Sequence, residues 1–547
     1  GGSVFMPQNL GNIAYTTARA LATENGFTDG VNGVTVTVSP GARSNQLKVV
    51  ISEPVTNLFG AIAGFRTTTV AKHAVAEYER PVALGSPTNQ FGNDPTIVPA
   101  PAHGTPQYPD LWANVAGPMS EKNKGDATLA NVCDASGSRP DNCSNSTTGP
   151  NTDYNAKGYY YTIDVGPAAS SPLDVQVFDP AFVHVGDNCG NDNDPNQGNL
   201  NSHLLTSHLL QAQGLAANFN PGFPMTRADI INRYDPASTS LFCTGDQAFV
   251  SGTNEGMKSG VPLLPWTTYR VLGPDDTPAD PTNNPPVAGC PAIDFPGTAG
   301  NLDTLLKSTN PIAGAPATLV KYFRQWYSIC TVANPTEGAY FLQVQTATKA
   351  SGSAAPAGGG HNRFSIRAGL GGSYVTSNVK VSGQDKMSIY ANAQGAKPTF
   401  YLARVLPGAK GRVLVLSFFD IGDAADDPAT PNSLQVQPPP DATTLAGPIT
   451  NWAGCAYTPP PGANIGPPWA AFTPTPGAAT CTITPVTSAL FDRQWVQVRI
   501  PIPDDYTCAY LDPLGCWSKI HFDFKFTVTD TTTWEAYVEG DPVRLIE

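Results

Sequence analysis

The sequence predicts a mainly β protein: a small N-terminal α+β domain followed by two related jelly-roll-like antiparallel β-sandwich domains. Three observations predict it. The first is a distant internal repeat, in which Tyr159-Tyr160-Tyr161-Thr162-Ile163-Asp164-Val165, a turn, and Leu173-Asp174-Val175-Gln176-Val177-Phe178-Asp179 are echoed by Phe400-Tyr401-Leu402-Ala403-Arg404-Val405, a turn, and Val413-Leu414-Val415-Leu416-Ser417-Phe418-Phe419-Asp420. Both copies end a strand on Phe-Asp, and each later carries Arg-Gln-Trp at the head of another alternating run, at 324–326 and 493–495. The second is composition. The 547 residues include 52 Gly and 53 Pro, well above the roughly 12% of average usage, and only 14% are charged, which favours short strands joined by turns over long helices. The third is ten cysteines, Cys133, Cys143, Cys189, Cys243, Cys290, Cys330, Cys455, Cys481, Cys508 and Cys516, scattered through turn-rich sequence with no CxxC pair. That pattern suits disulfides better than zinc.

The length exceeds one ordinary core and suggests about three domains. The boundaries read as 1–80 for the α+β domain, 81–108 for a linker, 109–368 for the first sandwich and 369–547 for the second. In the first domain, Leu10, Ile13, Ala14, Thr17, Ala18, Leu21 and Ala22 recur at helical spacing, and Asn25-Gly26 supplies a stop. Val34–Val38 and Gln46–Ile51 alternate as strands, Leu58–Phe65 reads as a short apolar turn or helix, and Thr67–Tyr78 as a long strand. The linker is rich in Pro, Gly, Asn and Ala without periodicity. Later strands of the first sandwich fall at 267–272, 326–332, 339–345 and 363–367, between loop insertions at 186–223 (with a short helix near 202–213) and 274–317. The second sandwich closes on strands at 495–500, 520–529 and 534–538 and carries a Pro-rich insertion at 428–476.

Taken together, Ala20-Leu21-Ala22-Thr23-Glu24-Asn25-Gly26-Phe27, the Val-Thr-Val-Thr-Val strand, Val49-Val50-Ile51 and the run Phe59-Gly60-Ala61-Ile62-Ala63-Gly64-Phe65 through Thr67 to Glu77 resemble the extracytoplasmic part of bacterial TadE/TadG-like proteins of Flp (Tad) pilus assembly. The resemblance covers about the first 80 residues. It implies an N-terminal membrane-spanning or pilin-like helix running into this segment, so any membrane association would come through an N-terminal segment not in this chain. It also implies envelope or pilus proteins as partners.

A net charge of −13 and a pI near 4.9 repel phosphate backbones, and no basic run interleaved with aromatics offsets them, so nucleic acid is not expected as a partner. Nearest-neighbour cysteine pairing, 133–143, 189–243, 290–330, 455–481 and 508–516, would close local loops, although spacing alone does not fix connectivity. Disulfides imply an oxidising compartment, hence an extracytoplasmic, cell-surface or secreted location.

Acidic loops follow the equivalent strand of each repeat, with Asp187, Asp192 and Asp194 in the first and Asp420, Asp423, Asp426 and Asp427 in the second. Carboxylates clustered on a loop are what a structural calcium ion takes, but Gln197 and His203 stand where an EF-hand loop places Gly and Glu, so a solvated acidic turn competes with a calcium site. Asp134-Ala135-Ser136-Gly137-Ser138 matches the DxSxS of von Willebrand A metal sites, in a context lacking that domain's parallel strand and long α/β pattern. His203 and His208 are five apart and do not form a zincin pair, and no G-x-S-x-G elbow is present. Trp326, Trp495 and Trp534 sit on strands, where packing competes with binding; Trp452 and Trp469, in the Pro-rich insertion, are the better candidates for an exposed glycan-stacking surface.

These readings point to a non-enzymatic, extracytoplasmic pilus-associated or cell-surface display and adhesion protein, with no catalytic residues and no cofactor beyond a candidate structural calcium. The alternatives are a secreted carbohydrate-active hydrolase or carbohydrate-binding protein with accessory sandwiches, and a self-associating subunit of a surface filament.

Overall fold

In the computed structural model, the described residues are 13–41, 46–57, 59, 62, 64, 66–78, 81–94, 97, 101–133, 150–166, 171–179, 265–275, 280–295, 326–355, 358–374, 378–393, 397–422, 432–439, 455–458, 481–487, 491–525, 528–540 and 543–545. The chain is mainly β, with large antiparallel sheets and one α-helix among these residues. The long insertions expected at 186–223 and most of 274–317, and the helix near 202–213, lie outside them.

The helix α1, Ile13–Glu24, packs on an antiparallel sheet of β1 (Thr35–Pro40), β2 (Gln46–Thr56) and β3 (Thr67–Tyr78). The strand alternation explains the contact: Val34, Val36 and Val38 point inward and are met by Ala22, with Tyr15, Ala18, Phe27, Leu47, Val49 and Ile51 around them. The helix ends where Gly26 turns left-handed at φ 93° and Phe27 N–H bonds Ala22 C=O at 2.8 Å. Arg19 then pairs with Asp29, whose other oxygen accepts the Val36 N–H at 2.8 Å, tying helix to sheet. A fourth strand arrives from the far end of the chain: β24, Val543–Leu545, pairs with β3 at Tyr78, Glu77 and Ala76. The N-terminal sheet is therefore completed by residues that lie in sequence within 369–547, the stretch expected to form the second sandwich.

The remaining strands are β4 (Ala83–Leu84), β5 (Gln90–Phe91), β6 (Leu111–Ala116), β7 (Tyr159–Val165), β8 (Leu173–Phe178), β9 (Thr267–Leu272), β10 (Ile293–Phe295), β11 (Trp326–Val332), β12 (Gly338–Gln345), β13 (His361–Leu370), β14 (Val379–Gln384), β15 (Lys386–Asn392), β16 (Thr399–Arg404), β17 (Val413–Phe419), β18 (Asn432–Gln437), β19 (Ala456–Thr458), β20 (Cys481–Val486), β21 (Trp495–Pro501), β22 (Trp517–Asp523) and β23 (Thr529–Val538). Their pairings form two long antiparallel ladders. One runs β10-β9-β12-β7-β14-β4-β16-β22-β18-β20. The other runs β11-β8-β13-β6-β15-β23-β17-β21-β19. Their inner faces share one core: Tyr161 of the first ladder meets Phe364 of the second edge-on at 6.0 Å, and Phe400 meets Trp534 at 6.1 Å.

The repeat is visible in who pairs with whom. In each half an early strand (β8 or β17) lies between two later ones (β11 and β13, or β21 and β23), and β7 with β12 and β9 is matched by β16 with β22 and β18. At the junction the halves exchange pieces. β14 completes the sheet beside β7, while β4 adds to β16, and β4 with β14 and β6 with β15 pair across the seam.

The Pro/Gly/Asn-rich segment 81–108, expected as a linker, supplies β4 and β5 and buries Leu84 and Phe91 completely. It lacked a periodic signal because each strand is two residues long, too short to display one. Likewise β18 and β19 fall inside the stretch expected as the Pro-rich insertion.

Three disulfides pin the described residues: Cys290–Cys330, Cys455–Cys481 and Cys508–Cys516, with sequence separations of 40, 26 and 8. Cys133 is also disulfide-bonded, and Cys143, Cys189 and Cys243 lie outside the described residues. These bonds fit an oxidising compartment. No helix among the described residues is long and apolar enough to cross a membrane.

Candidate functional site

The second ladder's outer face carries the same small construction twice. In the first copy Trp326 and Ser365 flank Phe178 on neighbouring strands, and Ser328 and Arg367 flank Gln176. In the second copy Trp495 and Thr533 flank Phe419, and Gln497 and Glu535 flank Ser417. In both, tryptophan packs on the phenylalanine of the Phe-Asp pair, with ring centroids 5.6 Å apart for Phe178 and Trp326 and 5.3 Å for Phe419 and Trp495. In both, the indole N–H donates to a carboxylate from a distant loop: Trp326 to Asp94 at 3.0 Å, Trp495 to Asp153 at 2.8 Å.

The copies differ in what fills the space beside the indole. In the first, the Arg367 guanidinium carbon lies 4.2 Å from the Trp326 ring centroid and 4.0 Å from that of Tyr374. Its Nε donates to Gln176 at 2.8 Å, and Asp94, itself almost fully buried, balances its charge at 3.7 Å. In the second, Glu535 occupies the Arg367 register position and Ser417 that of Gln176, so a carboxylate replaces the guanidinium and a short hydroxyl replaces the amide on the central strand. A pocket of about 290 Å³ opens there, lined by Asp153, Lys386, Ser417, Trp495, Val496, Gln497 and Glu535. That volume lies at the foot of the usual ligand-site range of about 300–1,000 Å³, a fit for one side chain or one small ring.

Two lysines partner the pocket's carboxylates. Lys122, wholly buried and lying 5.1 Å over the Phe419 ring, reaches Asp153 at 2.8 Å, and the part-exposed Lys386 reaches Glu535 at 2.6 Å. Burial pushes the Asp153 carboxyl up, but the Lys122 hydrogen bond and charge, the Trp495 indole and the Lys386 charge outweigh it and hold it below the usual aspartate value. Lys122 is aimed by a single 3-10 turn, Lys122–Lys124, that closes on Gly125 at φ 89°. A Cβ there would stand 1.9 Å from the Thr531 carbonyl of β23, so only glycine lets this turn lie on the ladder. Behind it, the buried Asp126 accepts from the backbone N–H groups of Ala116, Thr128 and Leu129 and from the Tyr159 hydroxyl, at 2.7 to 3.0 Å, fixing the whole 120–130 loop.

The residues expected to bind or ligate distribute differently. Of the acidic residues considered for calcium, Asp420 is described. It is buried, has φ 57°, and its Oδ1 accepts the Arg493 N–H at 2.6 Å, closing the turn that delivers Trp495. Asp187, Asp192, Asp194, Asp423, Asp426 and Asp427 lie outside the described residues, as do Trp452, Trp469 and the Asp134–Ser138 motif. No group of three metal-ligating side chains occurs among the described residues. Trp534 is buried in the core. Trp326, Trp495 and Trp534 share strand positions where packing competes with binding, and the Arg-Gln-Trp signature common to Trp326 and Trp495 does not distinguish those two. What separates them is the residue facing each from two strands away.

Comparison with known proteins gives no match: no family model, no curated protein and no solved structure is similar to this chain.

Proposed function

We propose that this chain is a non-enzymatic, extracytoplasmic display and adhesion protein, pilus-associated or cell-surface, whose two related jelly-roll-like sandwiches present a binding niche beside Trp495. One observation carries the reading: a niche built twice on one face is self-filled in one copy and open in the other, as expected of a scaffold that keeps one copy for structure and offers the second to a ligand. The pilus association rests on the likeness of the first 80 residues to TadE/TadG-like proteins, with other envelope proteins as partners. Disulfides closing short loops suit a protein exposed to an oxidising and mechanically demanding exterior.

The hydrolase alternative has its own support, since Asp153 and Glu535 face one pocket beside an aromatic ring, as the carboxylates of a glycosidase do. One experiment tests both. Purified protein and its Trp495→Ala variant are assayed for binding to isolated bacterial envelopes and for turnover of polysaccharides and peptides. Envelope binding that depends on Trp495, without turnover, supports display; turnover abolished by Asp153→Asn or Glu535→Gln overturns it.

A further inference from the structure

We propose that the open niche receives a guanidinium group, an arginine side chain offered by a partner polypeptide, in the way that the first copy receives its own Arg367. This deepens the reading above by naming the partner's chemistry, and it rests on that reading only for the partner's origin.

The template is internal. Around Arg367 the chain arranges an indole to lie under the guanidinium, a carboxylate pinned by the indole N–H, and side-chain oxygen on the central strand to accept from Nε. The open niche repeats the indole face in Trp495 and the carboxylate pinned by it in Asp153, here shared with Lys122, and sets the shorter Ser417, with Gln497 on the next strand, where Gln176 stands in the first copy. Where the first copy supplies the cation, the second supplies a carboxylate, Glu535. The exchange removes the resident guanidinium and adds an acceptor for an incoming one.

The competing cation is Lys386, held on Glu535 at the pocket rim with 36% of its side chain exposed. An ammonium is a compact, strongly hydrated point charge, whereas a guanidinium is planar, weakly hydrated and bidentate toward carboxylates. It also stacks on an indole face, which an ammonium on a flexible stem does less well. Displacement of Lys386 into solvent by an arginine therefore exchanges a rim ion pair for a stacked, forked one. The hydrogen bonds from Lys122 and the Trp495 indole hold the Asp153 carboxyl below the usual aspartate value, so it faces the ligand as a carboxylate.

The test is a calorimetric titration of the full chain with N-acetyl-arginine methylamide, against N-acetyl-lysine methylamide and methyl glucoside as controls. The arginine probe binds with one site per chain and at least about tenfold more tightly than the lysine probe. Glu535→Arg, which returns a guanidinium to the register position of Arg367, weakens it at least tenfold. Arg367→Ala opens the first copy and raises the stoichiometry toward two; should that variant not fold, Glu535→Arg decides alone. Equal binding of both amino-acid probes, binding of the glucoside in their place, no binding of the arginine probe, or undiminished arginine binding by Glu535→Arg overturns the inference. Trp495-dependent envelope binding with no arginine binding sinks this inference and leaves the display reading standing.

Discussion

Trp495 donates its indole N–H to Asp153 at 2.8 Å, although 342 positions of sequence separate them. The same carboxylate holds the buried ammonium of Lys122. A loop preceding the first repeat's paired strands is thereby stapled to a strand of the second, and the open pocket lies against the staple. The twin contact, Trp326 to Asp94, spans 232 positions. Both are long-range, so each forms only once its part of the ladder has assembled.

Asp153→Ala takes the carboxylate from Lys122 and the acceptor from Trp495. Removing one partner of a buried pair costs about 3–5 kcal/mol, but Asp153 is 35% exposed, so about 2 kcal/mol is the expected loss in urea unfolding. Its carboxyl is held below the ordinary aspartate value, so its contribution is complete above about pH 4 and disappears as pH falls through the lower folded value. The difference between wild type and variant should be flat from neutral pH down to that point and then close. A difference that persists undiminished in strong acid would refute the assignment.

His361 is likewise held in its deprotonated form, which for an imidazole is the neutral one. It is 1% exposed on β13, with Nδ1 3.1 Å from Asn114 Oδ1, and burial, then the Arg363 and Lys124 charges, push it well below the usual histidine value. A group kept neutral in the fold but free to charge when unfolded contributes stability that is complete above about pH 6.5 and is lost as pH falls, by up to about 1.4 kcal/mol per unit. His361→Gln should flatten the stability profile between neutrality and pH 5, measured by chemical unfolding. An unchanged slope in the variant would exclude His361 as its source.

Much of this was readable from the chain and some was not, for physical reasons. The Phe-Asp and Arg-Gln-Trp echoes mark the strands β8, β11, β17 and β21, because period-two alternation and a repeated aromatic are local signals, whereas the pairing of β8 with β11 and of β17 with β21 is long-range. The cysteine spacing likewise suggests 290–330, 455–481 and 508–516, the three bonds present among the described residues. The seam escapes such reading. Leu84 and Phe91 belong to two-residue strands in Pro- and Gly-rich sequence, and their partners lie about 300 positions away in β16, β14 and β13. The niche escapes it too. That Glu535 stands where Arg367 stands is a statement about register across three strands, and nothing in the neighbourhood of Trp495 announces it.

The three described disulfides should rank by the loop each closes. Chain-entropy arithmetic gives about 4 kcal/mol for Cys290–Cys330, about 3.5 for Cys455–Cys481 and about 2.5 for Cys508–Cys516. Paired Cys→Ser variants, unfolded in guanidinium under non-reducing conditions, measure that order. Reductant should lower the melting temperature of the wild type by more than any single pair does. An inverted ranking would show that packing around the sulfurs, with Cys516 fully buried and Cys290 less so, outweighs loop closure.

Deleting residues 541–547 removes β24 and strips the N-terminal sheet of its last strand. The pairing it takes away is short, from Val543 with Tyr78 to Leu545 with Ala76, whereas β2 and β3 remain paired over eleven positions and α1 still covers the face of β1 that carries Val36 and Val38. The loss should therefore stay local. Backbone amides of residues 76–78 should exchange hydrogen faster, by mass spectrometry, while those of β16 and β22 in the shared core keep their protection. The two ladders do not depend on β24, since no strand of either pairs with it. If instead β1, β2 and β3 all lose protection together, the final strand is what holds the N-terminal sheet in its folded state, and the two ends of the chain form one cooperative unit.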